Sequence, residues 1–295
     1  MNELETTIAS NYSLNINNLH QIKGGWSARS YVIETINKKY FAKVYDNKRA
    51  STETNIKNAE IYGDMLIALV NKGDLKNNIT TPIKNNQNNY LTRTDNFSIE
   101  LFEYIDGFTI AEDKMNDNEK IELANIINTL HQSIDKIELS SDFPKEDFNI
   151  PNVIKMEMFL NDNRYNSLLL KYKIKLSEYL EYLQKAAGSY KNKDIPFVLC
   201  HTDIHKWNLM RSEDSLYLID FETSKLAPKE HDLRMLDSDY SKEILDNYYN
   251  KDIDNELITF YSRLRVIDDI VEEIELNFDI NNAEIIRQLN KLYDY

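Results

Sequence analysis

The stretch "VLCHTDIHKWNLMRSEDSLYLIDFE" (residues 198–222) sets His201, Asp203, His205, Asn208 and Asp220 between apolar runs. Residues 197–200, 209–210 and 216–219 read as short strands, the last two joined by the polar turn "RSEDS". With that turn centred on Asp214, Asn208 and Asp220 face each other across a hairpin, with Cβ atoms about 5 Å apart. An amide oxygen and a carboxylate held that close suit a hard cation such as Mg²⁺. Asp203, in the loop just before the hairpin, is placed to accept a proton from a nucleophile. Zn²⁺ on His201, Asp203 and His205 is a rival reading, but Cys200 is the only thiol nearby and H-x-D-x-H is a weak zinc pattern. A purely structural acidic turn would leave the Asn208/Asp220 symmetry as coincidence.

The spacing His201-x-Asp203-x₄-Asn208 matches the catalytic loop of kinases with its arginine replaced, and Asp220-Phe221 stands where D-F-G begins. Phosphoryl transfer also needs a cation on the nucleotide phosphates and an acid to orient it. "YFAKVYD" resembles the V-A-I-K strand, which makes Lys43 the phosphate ligand. Glu60, on the helix that follows, could reach back to Lys43, and Glu53 on the same face is the rival partner. The joint "FEYIDG" would offer backbone N–H and C=O groups from about Glu103 to Ile105 to the adenine edge. Gly24-Gly25 could form a turn over the phosphates, although a G-x-G-x-x-G is absent.

The elements that must position these groups change in texture along the chain. "SYVIETINKKYFAKVYD" reads as a hairpin turning at Asn37-Lys38. "STETNIKNAEIYGDMLIALVNKG" reads as one helix, capped by Ser51 or Thr52 and ended by Gly73, with Ile56, Ala59, Leu66, Leu69 and Val70 on its apolar face. "NNYLTRTDNFSIELFEYIDG" returns to strands, with a turn at Asp95-Asn96. Beyond Gly107, "NEKIELANIINTLHQSI", "YNSLLLKYKIKLSEYLEYLQKAA" and the tail from about Asp252 read as helices. This is an α+β, bilobal pattern: a small sheet-rich N-lobe over residues 1–104 for the nucleotide, and a larger helical C-lobe over 105–295 for catalysis and substrate. A ligand cleft between the lobes is the expectation.

The 295 residues carry a formal charge of −14, which repels nucleic-acid backbones and anionic membranes and attracts cationic small molecules. Cys200 is the single cysteine, so no internal disulfide forms. The opening "MNELETTIAS" does not read as a signal peptide, and no apolar run approaches the ~20 residues of a membrane span. A cytoplasmic enzyme is the expectation.

With Lys43, Glu60, Asp203, Asn208 and Asp220 in this order, the chain resembles the aminoglycoside phosphotransferase and choline kinase superfamily. "HTDIHKWNLM", "LYLIDFE" and "LAPKEHDL" carry the likeness. "LIDFETSKLAPKEHDLRML" and "GGWSARSYVI" look most like its spectinomycin phosphotransferase branch. The resemblance implies a kinase-like fold, a nucleoside triphosphate (ATP or GTP) with Mg²⁺, and transfer to a hydroxyl of a small molecule. It implies Asp203 as base, Asn208 and Asp220 as Mg²⁺ ligands, Lys43 with Glu60 on the phosphates, and Asp232 bracing the catalytic loop. Glu222 replaces the D-F-G glycine, as is common in this family. Antibiotic kinases of this kind bind polycationic substrates through acids on C-terminal helices. "IDDIVEEIELNFD" offers Asp268, Asp269, Glu272, Glu273 and Glu275, of which Asp269, Glu272 and Glu273 could share one helix face. Trp207 could wall the substrate site or merely pack the lobe. A metabolic kinase for choline, homoserine or methylthioribose, or a non-catalytic kinase-like binding protein, is the alternative.

Overall fold

The computed structural model describes residues 3–25, 28–49, 52–110, 115–234, 241–249, 251–277 and 282–293. Trp26, Ser27 and the expected cap Ser51 lie outside them. In chain order the elements are α1 (Glu3–Tyr12), β1 (Asn18–Ile22), β2 (Arg29–Glu34), β3 (Lys39–Asp46), α2 (Thr52–Ile56), α3 (Ala59–Lys72), β4 (Pro82–Ile83), β5 (Leu91–Arg93), β6 (Phe97–Glu103) and β7 (Gly107–Thr109). Then come α4 (Asp117–Gln132), α5 (Pro151–Leu160), α6 (Asn166–Leu169), α7 (Lys173–Tyr190), β8 (Val198–Cys200), β9 (Leu209–Ser212), β10 (Leu216–Leu218), β11 (Lys225–Ala227), α8 (Glu230–Leu233), α9 (Ser241–Asn247), α10 (Asn255–Asn277) and α11 (Ala283–Asn290). None of the described helices is long and apolar enough to cross a membrane.

Two compact units emerge, and the chain visits the first more than once. Unit 1 holds residues 1–144, 199–225 and 240–249; unit 2 holds 145–198, 226–239 and 250–295. This grouping differs from a single cut after residue 104. The reason is pairing: β7 runs antiparallel to β9, and α4 is tied to the β9–β10 hairpin, so both join the sheet-bearing unit. Gly107 permits the β7–β9 approach, since a Cβ there would sit 2.3 Å from the Arg211 carbonyl oxygen.

The main sheet of unit 1 runs β1-β2-β3-β6-β4, with β5 also on β6. Alternation along β3 and β6 gives the sheet two different faces. Ala42, Val44, Ile99 and Leu101 are buried on one face, in a core with Ile8 and Tyr12 of α1. Full burial of each such Val, Ile or Leu is worth roughly 1.5–3 kcal/mol. The opposite face carries Phe41, Lys43 and Tyr45 beside Ser98, Glu100 and Phe102.

The long helix expected after β3 is split at Lys57-Asn58 into α2 and α3. Asn58 leaves helical backbone at φ −108°, ψ 14°, consistent with the weak helix preference of asparagine. Thr52 starts α2 and ties it back to β3 by donating its hydroxyl to the Asp46 carbonyl at 2.6 Å. Gly73 ends α3 as expected. In unit 2, α5, α7, α10 and α11 bury one helical core, which includes Met156, Leu180, Phe260, Ile270 and Leu289.

Candidate active site

The β9–β10 hairpin sets the register of the site. Leu218 pairs with Leu209 and Leu216 with Arg211, so the loop is the two residues Glu213-Asp214. Ile219 therefore stands opposite Asn208 and donates its N–H to the Asn208 carbonyl at 3.0 Å. The expected direct opposition of Asn208 and Asp220 is corrected by one residue. Asp220 instead leaves the strand in the left-handed region, at φ 71°, immediately past that pair. Thr202, just before Asp203, sits at φ 70°. Such backbone costs a non-glycine residue on the order of 1–2 kcal/mol and gathers where function sets the geometry. The Thr202 hydroxyl donates to the Thr223 carbonyl at 2.9 Å, and Phe221 packs edge-on against the His201 ring at 4.6 Å. The two strained turns are fastened to each other.

His201 is fully buried, and both of its ring nitrogens are used by backbone. Nδ1 accepts the Asp203 N–H at 3.2 Å, which leaves the proton on Nε2 to donate to the Ile219 carbonyl at 2.9 Å. No nitrogen remains for a metal, so the zinc reading fails at this residue. His205 follows the same logic. Its Nδ1 accepts the Trp207 N–H at 3.2 Å, and Nε2 faces Asp203 Oδ2 at 3.3 Å. Asn208 Nδ2 donates to the Asp203 carbonyl at 2.9 Å and to Oδ2 at 3.1 Å. The Asp203 carboxylate is thereby held from two sides. Trp207 is 56 % exposed, so it does not pack the core.

Lys43 reaches across from the main sheet. Its Nζ lies 2.9 Å from Asp220 Oδ1 and 2.6 Å from Glu222 Oε1. Burial alone would push the ammonium down, but Asp220, Glu222 and Glu100 together outweigh it and hold Lys43 charged. Tyr45, two residues on and on the same face, hydrogen-bonds both Glu222 and Glu100, the latter at 2.7 Å. One phenolic proton cannot serve two carboxylates, so one of the acids brings its own. Burial, together with the Glu222 charge, pushes Glu100 up to about 7 despite the opposing pull of Lys43. Burial likewise raises Glu222 and Tyr45.

Neither acid expected to orient Lys43 does so here. Glu60 Oε1 accepts the backbone N–H groups of Tyr90 at 2.8 Å and Leu91 at 3.3 Å, anchoring α3 to the start of β5. Glu53 pairs with Arg93 at 3.2 Å on the surface. The acids around Lys43 come from β6 and from the segment after β10. Glu100 and Tyr45 escaped sequence reasoning. Their one signal is a carboxylate within the apolar run of β6, whose role depends on strand register.

At the joint, Glu103 ends β6 and its carbonyl accepts the Thr80 hydroxyl at 3.2 Å. Ile105 follows between β6 and β7, outside the strand ladders. Between β1 and β2, Gly25 adopts φ 67°, as a tight turn requires.

The acids of α10 separate into different environments. Asp268 is half-buried and accepts from Asn152 at 3.0 Å, with desolvation raising its pKa. Asp269 is matched by Arg265 and, at 3.8 Å, by Lys291; Glu275 is paired with Lys155 at 2.8 Å. Glu272 is exposed and Glu273 half-buried, the latter raised by burial and by the charges of Glu284, Glu272 and Asp269.

The donor chemistry around Asp220 fits a hard divalent cation. Because Asn208 spends its N–H₂ on Asp203, its Oδ1 is left as an acceptor, on a residue whose strand partner Ile219 directly precedes Asp220. Three carboxylates, Glu100, Asp220 and Glu222, surround one ammonium, an excess of negative charge that added positive charge would offset.

Comparison with known proteins bears on this arrangement. A sequence search of curated proteins found no match. Among solved structures, spectinomycin phosphotransferase APH(9)-Ia in complex with ADP and spectinomycin superposes at TM-score 0.76 with 19% identity, over 99% of this chain and 93% of that one. Choline kinase LicA from Streptococcus pneumoniae aligns at TM-score 0.64 and 19% identity, covering 99% and 98%. The microcompartment-associated aminopropanol kinase aligns at TM-score 0.69 and 11% identity, covering 99% and 94%. These likenesses establish the kinase-like fold. The model of the phosphotransferase enzyme family matches residues 18–265. The chain is a member of the phosphotransferase enzyme family.

Proposed function

We propose that the protein transfers the γ-phosphate of ATP or GTP, with Mg²⁺, to a hydroxyl of an aminocyclitol or aminoglycoside antibiotic of the spectinomycin kind. The observation that carries the chemistry is the double hold on Asp203, from Asn208 and His205, with the backbone of Asn208 paired to Ile219 just before Asp220, the partner of Lys43. Asp203 accepts the proton as the acceptor oxygen attacks phosphorus; the O–P bond forms, the bridging bond to the β-phosphate breaks, and the nucleoside diphosphate leaves. Asn208 and Asp220 would hold the cation, which neutralises charge developing on the transferred phosphoryl group. Lys43 binds the phosphates, the turn at Gly24-Gly25 covers them, and backbone from Glu103 to Ile105 meets the base. Glu272, which is exposed, and Glu273, where neighbouring acids outweigh the charge of Arg287, receive the cationic acceptor together with Asp269. The new dianion changes the charge and shape of a hydroxyl that must fit ribosomal RNA, which is resistance by modification in the cytoplasm.

A second reading keeps the chemistry and takes a metabolite of the choline, homoserine or methylthioribose type as acceptor. It is favoured by the fold likeness to a choline kinase and an aminopropanol kinase. A coupled nucleotide-turnover assay separates the two, run with spectinomycin, aminoglycosides, choline, homoserine and methylthioribose, and with Asp203→Ala as the blank. Turnover on an aminocyclitol or aminoglycoside supports the first reading, and turnover on choline or another metabolite alone replaces it with the second. Silence on every acceptor overturns both.

A further inference from the structure

We propose that Glu100, tethered by Tyr45, is the positioning residue that orients Lys43 toward the nucleotide, a role first expected of Glu60. The inference rests on the phosphotransferase reading above and adds a residue to it. Lys43 and Glu100 are register partners on adjacent antiparallel strands. Directly opposed side chains share a face, with Cβ atoms about 5 Å apart. Glu100 is 6 % exposed, and Lys43 is the cation whose charge acts on it. A buried carboxylate in that position needs a nearby positive charge or a hydrogen-bond donor. It has both, because the Tyr45 hydroxyl fixes its Oε2 at 2.7 Å.

The present partners of Lys43 cannot fill the orienting role alone. Asp220 and Glu222 both belong to the segment proposed to hold the divalent cation, and a cation on Asp220 competes with the ammonium for the same oxygens. Once Lys43 turns to the phosphates, an acid on its own sheet keeps its direction. Glu100 is such an acid, and it lies outside the catalytic segment. Glu60 is committed to the amides of Tyr90 and Leu91.

The test is a double-mutant cycle on nucleotide binding. Mg²⁺ with a non-hydrolysable ATP or GTP analogue is titrated into the unsubstituted protein, Glu100→Gln, Lys43→Met and the double variant, with Tm recorded for each. At pH 8, above the Glu100 midpoint of about 7, Glu100→Gln keeps the shape and the hydrogen bond to Tyr45 but removes the charge. It is expected to weaken binding about tenfold with Lys43 present and to have almost no effect in the Lys43→Met background. In turnover, nucleotide KM rises while acceptor KM stays level, a split that general loss of stability does not produce. Tyr45→Phe, which cuts the tether and leaves Glu100 in place, gives a smaller weakening that also vanishes without Lys43. It carries the test should Glu100→Gln not fold. Equal weakening in both backgrounds, or none in either, overturns the assignment while leaving the phosphotransferase reading intact. An unsubstituted protein that binds neither nucleotide overturns both.

Discussion

Lys43 Nζ and Asp220 Oδ1 lie 2.9 Å apart although 177 positions separate them in the chain. The pair joins a strand of the N-terminal sheet to the turn that follows the β9–β10 hairpin. Its side chains are 15% and 33% exposed, so it is only partly screened by water. The ammonium stands on oxygens that a divalent cation would also seek. On the proposed reading, cation binding would exchange one positive partner for another.

That exchange predicts how Asp220 responds to substitution. Mg²⁺ with nucleotide at a hundred times its Kd should stabilise the protein by about 2.7 kcal/mol, read as a rise in Tm. In Asp220→Ala the nucleotide shift should lose its dependence on Mg²⁺. A variant that keeps the full Mg²⁺-dependent shift would remove Asp220 from the cation site.

Asp203→Asn should lower kcat by about 10² to 10⁴ with nucleotide KM nearly unchanged, since general-base catalysis is lost and binding is not. His205→Ala removes one of the two holds on that carboxylate and should cost less, about 10-fold to 100-fold in kcat. Steady-state kinetics on the acceptor identified by the panel check both. A fall in nucleotide affinity equal to the fall in kcat would contradict the assignment.

The buried acids predict a pH dependence of stability. Glu100 is raised to about 7 from its ordinary 4.5, so the folded chain binds this proton more tightly than the unfolded chain. Its contribution is present in full below about 4.5 and is lost as pH rises through 7, with a slope of at most about 1.4 kcal/mol per pH unit. Glu222 is shifted the same way, so the comparison is between the unsubstituted protein and Glu100→Gln. Urea midpoints at pH 5.5 and pH 8 should fall further for the unsubstituted protein. Parallel losses would show that Glu100 is ordinary in solution.

The α10 acids should divide under mutation. Glu272→Gln with Glu273→Gln should raise KM for a cationic acceptor and leave nucleotide KM alone, because Glu272 is exposed and the acids around Glu273 outweigh Arg287. Asp269→Asn instead strips a partner from Arg265 and Lys291 and should lower Tm as well. Equal acceptor KM in the double variant and the parent would move substrate recognition elsewhere.

Much of this site was readable from the sequence because its parts are local. His201, Asp203 and Asn208 lie within one loop, and the alternation of "YFAKVYD" puts Lys43 on the face away from the apolar core. The departures are matters of register and distance along the chain. The hairpin loop holds two residues, Glu213-Asp214, so its centre falls between them and not on Asp214. That half-residue offset moves every pairing by one and puts Ile219 where Asp220 was expected. Glu60 sits on the expected helix, yet backbone amides of Tyr90 and Leu91 claim it, a contact that no helical pattern encodes. Glu100 matters through the β3–β6 ladder, which joins strands more than fifty residues apart.

The order in which unit 1 is assembled from the chain has a consequence for biosynthesis. Its sheet is complete in sequence by Glu103, but the segment 199–225 arrives only after the 145–198 stretch of unit 2 has been made. A nascent chain halted before Asp220 holds Lys43, Tyr45 and Glu100 on an open sheet face with their later partners still untranslated. Domains elsewhere in biology commonly close one after another as they leave the ribosome. Here unit 1 waits for a later segment of its own, and its polar face stays open to water and to chaperones until residues 199–225 have left the ribosome.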